Sequence, residues 1–209
     1  MNRLTVSITD GGEVAQGGTE DLKSRLVSVA LAHLEHTPPE RLSVREVARA
    51  AEVSHQAPYV HFGGKRGFLA AVAGVGLEAA AQRARAAVEA GGSDPDLRLH
   101  ALVDVYHAFA TQESNLHDLA FGPLVAKADH PGLQRAAAHY WRLLQGVVEA
   151  SQPPGVAQGE VLKRCSAAWG LIHGLGRLSS MHQIPQIVPG DLRTLMHEGI
   201  ATLRRGWNT

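Results

Sequence analysis

A chain of 209 residues, 44% hydrophobic and 19% charged, has enough apolar material to bury a core, which excludes disorder along its whole length. Thirty-one alanines against five isoleucines, with only 5% aromatic residues, favour helix over strand and predict an all-α fold. Twenty basic and twenty acidic side chains cancel, a single cysteine excludes an internal disulfide framework, and no apolar run reaches the roughly 18 residues of a membrane span, so a cytoplasmic protein is expected.

Residues 1–21 carry Gly11, Gly12, Gly17 and Gly18 among small and acidic side chains, with no secretory signal pattern, and read as a flexible tail. From Leu22 onward Leu26, Val29, Ala30 and Leu34 recur at helical spacing until Thr37, Pro38 and Pro39 stop the helix. Ser43 followed by Glu46 is a capping box opening a short helix from Val44 to Ala51. Glu52 and Val53 make a tight connection to Ser54, a second cap, and His55–Phe62 allow barely two more turns. Two short helices so joined form a helix-turn-helix. The same stretch, 22–69, holds seven Lys or Arg against four Glu, the most basic part of a neutral chain.

A long Ala-rich helix follows from Lys65, placing Phe68, Val72, Val75 and Ala79 on one face and ending at Gly91 and Gly92. Asp94 caps a helix with Pro95 in its first turn, on which Leu99, Leu102, Val103, Tyr106 and Ala110 share a stripe. Further helices are predicted at about 114–121, 131–150, 158–182 and 189–205, with prolines in the gaps.

Residues 42–69, LSVREVARAAEVSHQAPYVHFGGKRGFL, resemble the DNA-binding signature of the TetR family of bacterial transcriptional regulators. Ser43, Val47, Ala48, Val53, Ser54, Tyr59, His61, Phe62, Lys65 and Leu69 carry that resemblance. A shorter match, Trp169, His173 and Gly174 in AAWGLIHGLGRL, resembles the WHG-type ligand-binding domain of one TetR subgroup. The resemblance implies an N-terminal three-helix DNA-binding domain at 22–69 and a larger C-terminal helical regulatory and dimerisation domain at 70–209. It also implies phosphate contacts from Tyr59, His61 and Lys65.

The residues support this on their own chemistry. Ser54, His55, Gln56 and Ala57 occupy the first turn of the second short helix, where side chains of a helix docked in a groove reach base edges. Gln56 suits adenine, Ala57 a thymine methyl, and Arg45 on the preceding helix a guanine edge. Taken singly, Tyr59 and His61 are as readily explained as surface side chains. Two positions depart from the family pattern: Glu52 stands where glycine is usual, so the turn must avoid a positive φ or accept strain, and Gly67 weakens the start of the long helix by about 1 kcal/mol.

In the second region Ala167, Gly170, Leu171, Gly174 and Leu178 form a small-and-leucine face. Together with Leu192, Leu195, Met196, Ile200 and Leu203 on the last helix, it suggests a four-helix bundle between two copies. On another face Cys165, Trp169 and His173 fall at i, i+4 and i+8. With Tyr106, His107, Phe109 and Phe121 they either wall an effector pocket or pack an ordinary core. His100, His107 and His117 beside Asp118 invite a metal reading, but no spacing supports one, and no phosphate loop, nucleotide fingerprint or nucleophile elbow supports an enzyme. The sequence thus predicts a non-enzymatic, cofactor-free homodimer that binds double-stranded DNA at an inverted repeat as a repressor and is released by a small-molecule effector. The rival is a small-molecule-binding or catalytic helical protein that retains the head without a regulatory role.

Overall fold

The computed structural model describes residues 13–207, with side chains described from Asp21 onward, Asp129 excepted. The described residues form nine α-helices, two single 3-10 turns and no strand: α1 Glu13–Leu34, α2 Val44–Ala50, α3 Ala57–Phe62, α4 Lys65–Ala90, α5 Pro95–Gln112, α6 Ser114–Phe121, α7 Pro131–Ala150, α8 Gln158–Ser180 and α9 Leu192–Gly206. The 3-10 turns, Pro39–Arg41 and Lys127–Asp129, precede α2 and α7.

Local chemistry sets most boundaries. The Ser43 hydroxyl accepts from the Glu46 amide at 3.3 Å, as expected, although no return bond from the Glu46 carboxylate accompanies it among the described residues. Asp94 accepts from the amides of Asp96 and Leu97 at 2.8 and 3.3 Å ahead of Pro95, and Asp191 accepts from the Thr194 amide at 2.8 Å, so α9 opens at Leu192 rather than 189. The first helix departs from expectation. It reaches back to Glu13, so residues 13–21 are helical rather than tail; the remainder of the expected tail lies outside the described residues.

The connection between α2 and α3 is a Schellman turn: the Glu52 amide donates to the Arg49 carbonyl and the Val53 amide to the Ala48 carbonyl, both at 3.0 Å. Glu52 takes the left-handed position, φ 54°, that glycine fills most easily. The turn accepts the strain. The α8 terminus repeats this arrangement, with His182 at φ 54° ending the helix before the expected 182.

The core is one contiguous cluster running from Leu26 to Trp207. α4 is its axis, packing on α1 and α3 at one end and on α5, α6 and α7 along its length. Its buried side chains, from Phe68 to Val88, therefore belong to both the head and the larger helical body. Gly67 permits the junction. A Cβ there would stand 1.8 Å from the Phe62 carbonyl oxygen, so the glycine that looked like a weak start is the residue that lets α4 pass the end of α3.

α9 is clamped to α5. Arg193 donates to both Asp104 oxygens at 2.7 and 3.0 Å, and His197 Nε2 lies 2.6 Å from the same carboxylate. The Arg193 guanidinium holds the Asp104 carboxyl below its ordinary range. Met196 and Ile200, read from sequence as part of a dimer face, are buried within this chain at 0% and 1% exposure and serve its own core.

Candidate DNA-reading head and effector cavity

α2 and α3 are anchored by burial of Val44, Val47, Ala48 and Pro58. An edge-on contact between Phe62 and Phe68, ring centres 5.2 Å apart, ties α3 to α4. Pro58 lies in the first turn of α3, where its missing N–H removes no helical bond. The Ser54 hydroxyl accepts from the Gln56 amide at 3.3 Å, while the Ala57 amide donates to the Ser54 carbonyl. A turn therefore replaces the expected opening of the helix, and α3 begins at Ala57 rather than His55.

With these anchors inside, Arg45, Ser54, His55, Gln56, Tyr59 and Lys65 are exposed, and Ser43, Ala57 and His61 are half-buried. Among the described residues none of Arg41, Arg45, Arg49, Lys65 and Arg66 takes part in an ion pair. The surface around α3 thus keeps its cations unneutralised, as a phosphate-facing surface requires.

The aromatic residues of the larger body converge as a chain of contacts. The Tyr106 hydroxyl lies 2.7 Å from His173 Nδ1 and 3.0 Å from His117 Nε2. Asp118, 3.7 Å from His117 Nδ1, favours the proton there, which leaves Nε2 to accept from the tyrosine and His173 Nδ1–H to donate to it. Burial, reinforced by His173, pushes the His117 pKa down to about 4, and burial likewise lowers that of His173. Both rings are neutral at ordinary pH. His173 stacks on Trp169 with centres 5.3 Å apart and planes 12° from parallel. Trp169 in turn meets Phe121 at 5.4 Å.

Beyond Trp169 and Phe121 opens a cavity of about 220 Å³, walled also by Leu77, Ala137 and Trp141. Two of its lining side chains, Lys127 and Tyr140, carry polar groups. Lys127 sets its ammonium 4.4 Å from the Phe121 ring centre, and burial lowers its pKa. Tyr140 is 4% exposed, and its hydroxyl has no hydrogen-bond partner among the described residues. Larger hollows of about 570 and 580 Å³ lie along α4; in them Glu78 is paired with His139 at 2.8 Å and Arg83 with Glu113 at 2.5 Å, while Arg135 and Glu35 make no ion pair among the described residues.

Residues 26–72 match the model of the family described as bacterial regulatory proteins, tetR family, and residues 99–203 match that of the tetracyclin repressor-like C-terminal domain. The chain belongs to the TetR family. It is accordingly a DNA-binding transcriptional regulator, and the second match agrees with the WHG-type resemblance of the Trp169 segment. A protein of unknown function from Rhodococcus sp. RHA1 is similar over 90% of this chain and 96% of its own, at 25% identity and a TM-score of 0.71. A candidate regulatory protein, SCO4313, is similar over 90% of this chain and 97% of its own, at 18% identity and a TM-score of 0.67. A candidate transcriptional regulator, SCO7518 from Streptomyces coelicolor A3(2), is similar over 88% and 98%, at 19% identity and a TM-score of 0.60. No curated protein matches the sequence.

Within this TetR-family chain the seven residues expected to form a pocket divide. Phe121 and Trp169 line the cavity; Tyr106, Phe109 and His173 stand behind them, and Phe109 packs on Phe121 at 6.4 Å between centres. Cys165 is fully buried, its thiol pKa raised to about 11 by burial, and does not line the cavity. His107 sits within electrostatic reach of Asp191 at the start of α9 instead. The histidines weighed as a metal set also disperse: His100 meets His197 at 2.6 Å, whereas His117 meets Tyr106, and no group of three ligands forms among the described residues. Lys127, Tyr140 and Trp141 were missed. Tyr140 and Trp141 look like ordinary stripe residues of α7, and Lys127 comes from a 3-10 turn that no periodicity announces.

Proposed function

We propose that this TetR-family protein is a homodimeric repressor, non-enzymatic and cytoplasmic, that binds an inverted-repeat operator and leaves it when a small molecule fills the cavity beside Trp169. Residues 22–69 act as the reading head and 70–209 as the sensing and dimerising body. The observation that carries this reading is the exposed set around α3, with Gln56 and Tyr59 facing outward beside half-buried Ala57, among cations that make no ion pair among the described residues, while Pro58 and Val47 hold the helix to the body.

In this reading Gln56, Ala57 and Arg45 face base edges, with Ser54 and His55 beside them. Tyr59, His61, Lys65 and the Ser43 end of α2 face phosphates. Exposed Ala167, Gly170 and Leu178 with half-buried Gly174 on α8 form the dimer face; among the described residues Gly170 and Gly174 have no neighbour within 4 Å of where a Cβ would stand, which leaves room for a second backbone. Two copies joined there bring their heads to half-sites about one helical turn, or a multiple of it, apart.

The signal has two routes. α4 runs from Lys65 past Leu77 on the cavity wall, and α6 carries Phe121 at one end and Asn115 at the other. The Asn115 amide donates to the Leu34 carbonyl at 2.8 Å, so α6 reaches from the cavity to the last turn of α1. An effector acts only through its differential affinity for the DNA-competent and released states; a hundredfold change in DNA affinity requires about 2.7 kcal/mol.

Gel-shift titration against the gene's own upstream region tests the reading. Lys65→Ala should weaken binding to every sequence alike and flatten the salt dependence by about one unit, whereas Gln56→Ala should relax preference at particular base pairs by about 1–3 kcal/mol. A monomer indifferent to DNA at low salt would refute the proposal.

A further inference from the structure

The cavity beside Trp169 carries more chemical information than its position. Taking it as the effector site, as proposed above, the geometry points to a small aromatic carboxylate as its ligand, its ring among Phe121, Trp141 and Trp169 and its acid group received by Lys127 and Tyr140.

Three observations converge on that class. The first is size: about 220 Å³ falls below the usual range for drug-sized ligands, about 300–1,000 Å³, and admits one ring with a short substituent. The second is the wall. Three aromatic side chains with Leu77 and Ala137 favour a planar apolar body, since rings gain from offset or edge-on packing beyond the area they bury. The third is the polar inventory. Lys127 has no carboxylate partner among the described residues, only the face of Phe121. Tyr140, on the same wall, holds a buried hydroxyl with no hydrogen-bond partner among the described residues. Lysine can only donate, and an unsatisfied buried hydroxyl gains most as a donor to a strong acceptor. A carboxylate offers both a negative charge to the ammonium and lone pairs to the phenol, forming charge-assisted bonds.

A neutral ring of the same shape would leave the half-buried ammonium without a counter-charge. A hydrophilic anion such as acetate would leave the aromatic wall unfilled. The phenol and the ammonium therefore select the acid, and the rings select the aromatic body.

Titrating the purified full-length protein with benzoate and trans-cinnamate, against benzamide, cinnamamide and acetate, tests this by Trp141 and Trp169 emission and by calorimetry. The acids should bind at least about tenfold more tightly than their amides and than acetate. Lys127→Gln should abolish the preference for acid over amide, and Lys127→Arg should retain it. Tyr140→Phe should weaken acid binding several-fold while the folded protein melts no lower than the parent, which separates a binding role from a structural one. Equal affinity for acid and amide, a preference that survives Lys127→Gln, or no acid binding would overturn the inference. Gel shifts on the same samples keep it separate from the effector reading. Acids that bind in this manner without releasing DNA sustain the inference and refute the effector role; DNA release by neutral aromatics with the acids inert does the reverse.

Discussion

Replacing Gly67 by alanine sets local propensity against tertiary geometry. Propensity alone favours the change by about 1 kcal/mol, because Gly67 lies inside α4. The added methyl carbon would stand 1.8 Å from the Phe62 carbonyl oxygen and 3.0 Å from the carbonyl carbon. These are backbone atoms that no rotamer change can move aside. To reach a tolerable contact they must retreat by roughly 1 Å or more, and overpacking of a rigid site costs about 1–3 kcal/mol, occasionally more. With contacts this short to backbone the cost lies at the upper end, about 3 kcal/mol, so the net expectation is a loss of about 2 kcal/mol at the α3–α4 junction. Urea unfolding of parent and Gly67→Ala measures the loss, and DNA affinity should fall with it because α3 is turned against α4. A variant as stable as the parent, or more so, would show slack in the junction and refute the argument.

Glu52→Gly should stabilise the protein by about 0.5 kcal/mol, the relief of left-handed strain exceeding the entropy that glycine adds to the unfolded chain; Glu52→Ala, which keeps the strain, should leave the urea midpoint unchanged, and a loss with glycine would contradict the turn geometry. Acidification should destabilise the fold. With a pKa near 4 when folded and 6.5 when unfolded, His117 binds its proton more readily in the unfolded chain, so stability is full above pH 6.5 and falls by about 3 kcal/mol towards pH 4. His117→Gln should flatten that part of the pH profile, and an unchanged slope would assign the effect to other groups. Asn115→Ala leaves the Leu34 carbonyl unpaired and should cost about 1 kcal/mol, with faster amide exchange at the end of α1; unaltered exchange there would remove α6 as a route between cavity and head.

Features carried by a few adjacent residues were legible in the sequence. Ser43 and Asp94 cap because each sits two or three residues from the amides it accepts from, and the strain at Glu52 follows from one missing glycine in a short turn. Features set by packing were not. Tyr106 and His107 are neighbours in sequence, yet a step of about 100° around the helix sends one to the centre of the aromatic cluster and the other towards α9. A periodic stripe likewise cannot say whether it meets its own chain or another, and so Met196 and Ile200 looked available for a partner while they fill this chain's core. Tyr140 and Lys127 gain their meaning only when α7 and the turn before it close over Phe121 and Trp169.

Sharing α4 leaves the molecule without a seam. A fragment that kept the reading head and α4 but lost the helices after it would hold a long flank of Val72, Leu77 and Val88 with nothing to lie against, and water would drive such fragments to clump. Head and body are thus inherited, and lost, together.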